Sequence, residues 1–334
     1  MGTITINKND SMKTIQNKLN SASGNTVVFT KATYKITKQL IIPKDTKIDL
    51  NGARLQRKAS IQSIFINKVT PDTTCWDGDG NIIIKNGIFE GMGGYSYDNL
   101  VTFFHSHHVT IENCVFQDIL CHGIELNSTY ICIVKSCKFL GYNLKDADNA
   151  YKEMIQIDQA GYSGFVLNGS TRYSKCYDGT CCEGITVINC TFDKSNTRDY
   201  PYACIGAHAQ MYNVNKKHEH IRIFNNTFHC KINKDIVQAC ISIINMKNVE
   251  IQQNIFDCAR VARIYSKTSS YTLDGKKVTP HEGDGLCNGV SIFNNIIYNC
   301  KNAKAAFQQY NKSSKTHDHT GISKTKNEYC AKID

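Results

Sequence analysis

One phrase of eight residues, apolar-x-apolar-x-Asn-(Cys/Asn/Gly)-x-Phe, recurs along this chain and limits what it can fold into. It begins at Ile82 (IIIKNGIF), Val109 (VTIENCVF), Cys132 (CIVKSCKF), Ile185 (ITVINCTF), Ile221 (IRIFNNTF), Val249 (VEIQQNIF) and Val290 (VSIFNNII). A weaker copy begins at Ile48 (IDLNGARL). Self-similarity at such periods is the mark of a solenoid, in which each repeat packs on its neighbours. The copies start 34, 27, 23, 53, 36, 28 and 41 residues apart. The shortest spacing approximates one bare coil, and the excess in the others measures loops inserted at coil corners.

Within each copy the first and third residues are apolar and alternate with residues that are mostly polar, so the period is two and the segment reads as a strand with one face buried. The Asn or Ser that follows suits a bend, where it takes a left-handed conformation or stacks its amide on the next coil. The phenylalanine then re-enters the core. These signals predict an all-β fold, a right-handed parallel β-helix. Met12 to Leu19 (MKTIQNKL) has apolar residues at helical spacing and reads as a short helix capping the first coil. The expected organisation is a single β-helix domain over 1–310, with 311–334 as a polar C-terminal cap or tail.

The 334 residues carry a net charge of +10, which invites a nucleic-acid reading. The lysines are scattered and no nucleic-acid-binding motif occurs, so the charge is assigned to an acidic glycan or an anionic cell surface. Neither a secretory leader nor an apolar run of membrane-spanning length is visible, and no membrane insertion is expected. Of the 16 cysteines several recur at one position of the phrase, as stacked small apolar side chains would, so free buried thiols are expected. Cys181-Cys182 with Cys176 is the cluster expected first to depart from that rule, although no His or Cys pairing there has zinc spacing. No metal and no cofactor is expected. His105, His107 and His108 lack an accompanying carboxylate and read as surface histidines.

With these features the chain resembles the pectin-lyase-like superfamily of parallel β-helix proteins. Thr14 to Leu55 looks like the opening of its polysaccharide-degrading members and of phage tail-spike depolymerases, and the repeats carry the likeness to about Tyr310. The resemblance implies action on a polysaccharide, in most members by cleavage and in some by binding alone. It also implies a homotrimer, as is common among depolymerases of this kind, and a virion-associated or extracellular place of action. The motifs of the polygalacturonases are not matched. Gln156-Ile157-Asp158, Gly206-Ala207-His208 and Arg263-Ile264-Tyr265 stand where their catalytic triplets would fall, so pectin is not assigned as the substrate.

Between one phrase and the next lies a second short strand, and these strands align too: VTFF from Val101, IELN from Ile124, IQID from Ile155, IGAH from Ile205, ISII from Ile241 and ARIY from Ala262. Their first and third residues should point inward. The second and fourth should face solvent in two columns, Thr102, Glu125, Gln156, Gly206, Ser242 and Arg263 beside Phe104, Asn127, Asp158, His208, Ile244 and Tyr265. Three long insertions, Gln159 to Gly184, Ala209 to His220 and Ser266 to Gly289, follow this strand and would wall a groove beside the columns.

Hydrolysis of a glycosidic bond needs one carboxylic acid to protonate the leaving oxygen and a second carboxylate to act as base or nucleophile. Glu125 and Asp158, on adjacent coils, are the candidate pair. His208 would orient Asp158 or tune it, and Arg263 would hold an acidic sugar or developing charge. Gln156, Asn127, Tyr265 and His122 are candidate substrate contacts, as is Asp178, which also suits a turn in Asp178-Gly179. The expectation is a polysaccharide-cleaving glycoside hydrolase. A metal-independent lyase and a non-catalytic glycan-binding or tail-fibre β-helix are the alternatives.

Overall fold

The structure is a computed structural model that describes the chain except residues 1, 92–98, 143–152, 162–175, 208–215, 231–238, 267–270, 274–275, 279–285, 301, 312–319 and 331–334. The strands form three parallel sheets of 11, 9 and 10 strands and one small antiparallel hairpin, Tyr271–Leu273 with Lys276–Val278. The chain visits the three large sheets in rotation, once per coil. In one coil Ile82–Lys85 lies in the first sheet, Ile88–Glu90 in the second and Val101–Phe104 in the third, and His107–Glu112 returns to the first. This is a parallel β-helix.

The phrase builds two of the three sheets. Its alternating residues form the first sheet, where Val109 pairs with Ile82 and Cys132, and these side chains point into the core. The fifth residue is left-handed in all seven full copies: Asn86, Asn113, Ser136, Asn189, Asn225, Gln253 and Asn294 have φ between 52° and 60°. In the weak copy Asn51 and Gly52 make the bend, with φ of 47° and 76°. Asparagine tolerates that conformation better than most residues, so the sequence preference is a backbone demand. Amide stacking falls one residue later. Asn226, Asn254, Asn295 and Asn327 pass side-chain hydrogen bonds of 2.8–3.0 Å from coil to coil, and Cys190 N–H donates to the first of them. In earlier coils Cys114, Cys137 and Cys190 hold the same position, each thiol donating to the carbonyl two residues back at 3.3 Å. The eighth residue completes a ring stack of Phe89, Phe116, Phe139, Phe192, Phe228 and Phe256, with centroids 4.7–5.0 Å apart.

The weak copy at Ile48 is two residues out of step. Ile48 pairs with Ile84, not Ile82, while Leu55 still pairs with Phe89. A two-residue slip keeps the buried face buried, and the longer corner of this first copy absorbs it. The helix Met12–Asn20 forms as expected, with Ser11 accepting from Thr14 N–H and Ile15 and Leu19 buried. At the other end, residues placed in the cap or tail add strands. Thr320–Thr325 extends the first sheet, with Ile322 on Val290, and Glu328–Cys330 extends the second. All 16 cysteines are free, 13 of them buried. His105 is not a surface residue. It is fully buried, its Nδ1 against the carbonyl of Cys75 and its Nε2 2.7 Å from the carbonyl of Cys176.

Candidate functional site

The third sheet aligns the second strands in the expected register. Thr102 pairs with Glu125, Glu125 with Gln156, Gln156 with Gly206, Gly206 with Ser242 and Ser242 with Arg263. In the other column Phe104 pairs with Asn127 and Asn127 with Asp158. Tyr265 continues that line onto Tyr310. His208, expected next to Asp158, lies outside the described residues. Ile244, expected to face outward, belongs to the main core.

The columns do not lie open to solvent as the alternation suggested. Glu125 is 3% exposed, Asp158 7% and Arg263 7%, and Asn127 and Thr102 are fully buried. Alternation fixes only which way a side chain leaves the coil. What lies above it depends on the insertions. Part of the cover belongs to the insertion after Asp158, whose Ala160, Cys176 and Tyr177 pack on the outward-facing Ile66 and Phe104 in a second apolar cluster. Asp178, proposed above for substrate contact, holds this cover in place. Its carboxylate accepts from Cys75 N–H at 2.7 Å and from Thr180 N–H at 2.9 Å, tying two insertions together. Trp76 adds a second tie between the two insertions, donating from Nε1 to the carbonyl of Cys181 at 3.1 Å.

Under this cover the polar groups are arranged closely. Glu125 accepts on Oε2 from the Asn99 amide and from the Thr102 hydroxyl at 3.3 Å, so it leans towards the preceding coil. Asp158 accepts on Oδ2 from the Gln156 amide. Neither amide atom of the Asn127 side chain has a hydrogen-bond partner, although the residue is fully buried between Phe104 and Asp158. A buried amide left unsatisfied costs about 1–3 kcal/mol, which a polar ligand would recover. Arg263 lies over the ring of Tyr265, 4.0 Å from its centroid, a cation–π contact that presents the guanidinium flat. His122 is buried at the corner before Glu125, its Nδ1 2.5 Å from the carbonyl of Glu153.

Sequence reasoning missed Glu153. Gly206 leaves a gap in the first column, and Glu153 fills it: a Cβ built on Gly206 would meet Glu153 Cγ at 2.9 Å and Oε1 at 3.0 Å. A third carboxylate therefore enters the row between Gln156 and Ser242. Its only trace in the sequence is a glycine in a column of larger side chains, and a missing side chain does not say what takes its place.

Behind Asp158 sits His218, buried, with Nδ1 accepting from Cys182 N–H at 3.1 Å. Burial pushes it down from 6.5 to about 4, against the opposing pull of Asp158. Below pH ~6.5 the unfolded chain takes up a proton that the folded protein refuses, so stability falls with pH until about pH 4, by at most about 3 kcal/mol. The expected result is that His218→Asn, which keeps an acceptor but cannot titrate, shows a flatter loss of stability over that window. Urea unfolding of both proteins from neutral to acid pH measures it.

No family model matches the chain, and no curated protein matches it. Solved structures do. The surface adhesin PfbA of Streptococcus pneumoniae is similar over 96% of this chain and 75% of its own, with 20% identity and a TM-score of 0.69. An alginate lyase from a Paenibacillus strain is similar over 98% and 99%, with 12% identity and a TM-score of 0.56. The tailspike protein of the E. coli bacteriophage HK620, in complex with a pentasaccharide, is similar over 98% of this chain and 55% of its own, at 14% identity and a TM-score of 0.62. Three long parallel sheets, one corner of left-handed asparagines and these likenesses together identify the fold of this chain as a right-handed parallel β-helix.

Proposed function

We propose that this protein cleaves a polysaccharide as a glycoside hydrolase, with Glu125 and Asp158 as the paired carboxyl groups. The observation that carries the reading is their register. Glu125 sits opposite Gln156 and Asp158 opposite Asn127, so the two are diagonal neighbours on adjacent strands. The backbone positions of such neighbours lie roughly 7–8 Å apart, and the lean of the side chains sets the separation of the carboxyl groups. Glu125 leans away from Asp158 towards Thr102, and Asp158 leans back along its own strand towards Gln156. Inverting glycosidases hold their carboxyl groups about 6.5–9.5 Å apart to admit a water, whereas retaining enzymes need about 5–5.5 Å. One carboxyl group protonates the leaving oxygen, the other activates the water, and the anomeric configuration inverts.

Around this pair, Gln156 holds Asp158, Asn127 offers its unpartnered amide to a sugar hydroxyl, and Arg263 on Tyr265 faces an acidic group of the glycan. His122 lines the same row, and His208, outside the described residues, is proposed as a proton-transfer or orienting group. Asp178 serves the site by fastening its cover. Action on a virion or outside the cell and assembly as a homotrimer complete the proposal. Among the described residues no helix is long and apolar enough to cross a membrane.

Incubation with a panel of bacterial and plant polysaccharides tests the reading. New reducing ends of inverted configuration, followed by NMR from the first minutes, are the expected result. Ultraviolet absorbance of an unsaturated uronate would replace it with a lyase, the activity in the name of the Paenibacillus protein. Retention of a glycan without cleavage would leave a binding protein, closer to the pneumococcal adhesin.

A further inference from the structure

Four cysteines from three successive coils meet inside the solenoid. Cys204 enters the third sheet just before Ile205, and Cys240 lies directly over it, its carbonyl accepting from Cys204 N–H at 2.8 Å. Cys230 and Cys258 leave the second sheet just after Thr227–His229 and Ile255–Asp257. Cys204 Sγ and Cys230 Sγ are 3.3 Å apart, and the sulfurs of Cys204, Cys230 and Cys240 all lie within 4.8 Å of one another. Cys258 lies beside Cys240, with its sulfur outside that distance of at least one of the three. All four are buried.

This grouping differs from the other cysteines of the core. Cys114, Cys137 and Cys190 also meet thiol to thiol, but they stand one per coil in a single column, and each donates to a backbone carbonyl. The four converge from two corners onto one point, thiol against thiol, although S–H is a weak donor and S a weak acceptor. We propose that Cys204, Cys230, Cys240 and Cys258 bind one structural zinc ion inside the β-helix. A Zn–S bond is about 2.3 Å, so four tetrahedral sulfurs stand about 3.8 Å apart. The sulfurs of Cys204, Cys230 and Cys240 fall around that value, and Cys258, the more distant fourth ligand, closes in when the ion binds. Binding replaces four S–H bonds with four Zn–S bonds and releases four protons to solvent, leaving a complex of net charge −2. The site ties three coils beside the Gly206 and Ser242 strands and so braces the floor of the groove.

Elemental analysis of protein purified without chelator is expected to give one zinc per chain, and cobalt exchanged into the site is expected to show the visible bands of a tetrahedral tetrathiolate. Cys240→Ser should lose the metal, whereas Cys114→Ala, outside the cluster, should keep it. If Cys240→Ser does not fold, the cobalt spectrum of the unaltered protein decides. Metal-free protein that takes up neither ion while all its thiols remain reduced would overturn the proposal, as would a Cys204–Cys230 disulfide found by mass spectrometry.

Discussion

Glu125→Gln and Asp158→Asn are each expected to slow cleavage by about 10²–10⁴-fold, the range that a positioned acid or base contributes. The amides keep the shape of the side chains they replace. The new side-chain carbonyl at position 125 still accepts from Asn99 and Thr102, and the one at position 158 still accepts from Gln156, so melting should move little. The double variant should be barely slower than either single one, because the two groups act in one step. Initial rates on the responsive polysaccharide measure this, and full activity in both single variants would remove the pair from the mechanism. Glu153→Gln belongs in the same series. If it alone abolished cleavage, the working carboxylate would be the one that fills the gap at Gly206.

Phe192→Ala should cost about 3–5 kcal/mol, the largest stability loss expected of any single change in the core. The ring lies fully buried in the middle of the stack, 4.8 Å from Phe139 and 4.7 Å from Phe228, so its removal opens a cavity and breaks two ring contacts. Rigid neighbours on both sides prevent collapse into the space. Ile255→Ala makes the contrast: this residue is 39% exposed on the outside of the solenoid, and its loss should stay within about 0.5 kcal/mol. Denaturant midpoints for the two variants test the difference. A shallower transition in Phe192→Ala would show coils on either side unfolding separately, which a stack held by nearest-neighbour contacts permits. A midpoint close to that of the unaltered protein would mean that the aromatic stack is not the mainstay of the core.

The parts of this structure that were legible in the sequence are those set by contacts between equivalent residues. Every copy of the phrase meets another copy, so Phe116 on Phe139 and Glu125 opposite Gln156 follow from aligning text with text. The parts that were not legible join unlike positions. The burial of Glu125 and Asp158 depends on cover from insertions that obey no period. Glu153 reaches the row only because Gly206 has no side chain. The thiols of Cys204, Cys230, Cys240 and Cys258 belong to two corners and three coils, so their spacing along the chain resembles no zinc motif. Even the slip at Ile48 arises where the first corner is longer than the rest.

The corner of left-handed asparagines holds two residues in every coil from Ile82 onward, as between Lys85 and Ile88 or between Phe293 and Ile296. The corner after the third sheet holds two residues between Asn127 and Tyr130 and 24 between Asp158 and Glu183. A codon gained at the first corner would turn the following strand over and expel its phenylalanine from the stack, whereas a codon gained at the other would lengthen a loop. Inheritable variation is thereby channelled to the side of the rod that carries the columns. A lineage, or a protein engineer grafting loops, can exchange the loops over the columns wholesale while the scaffold beneath is copied unchanged.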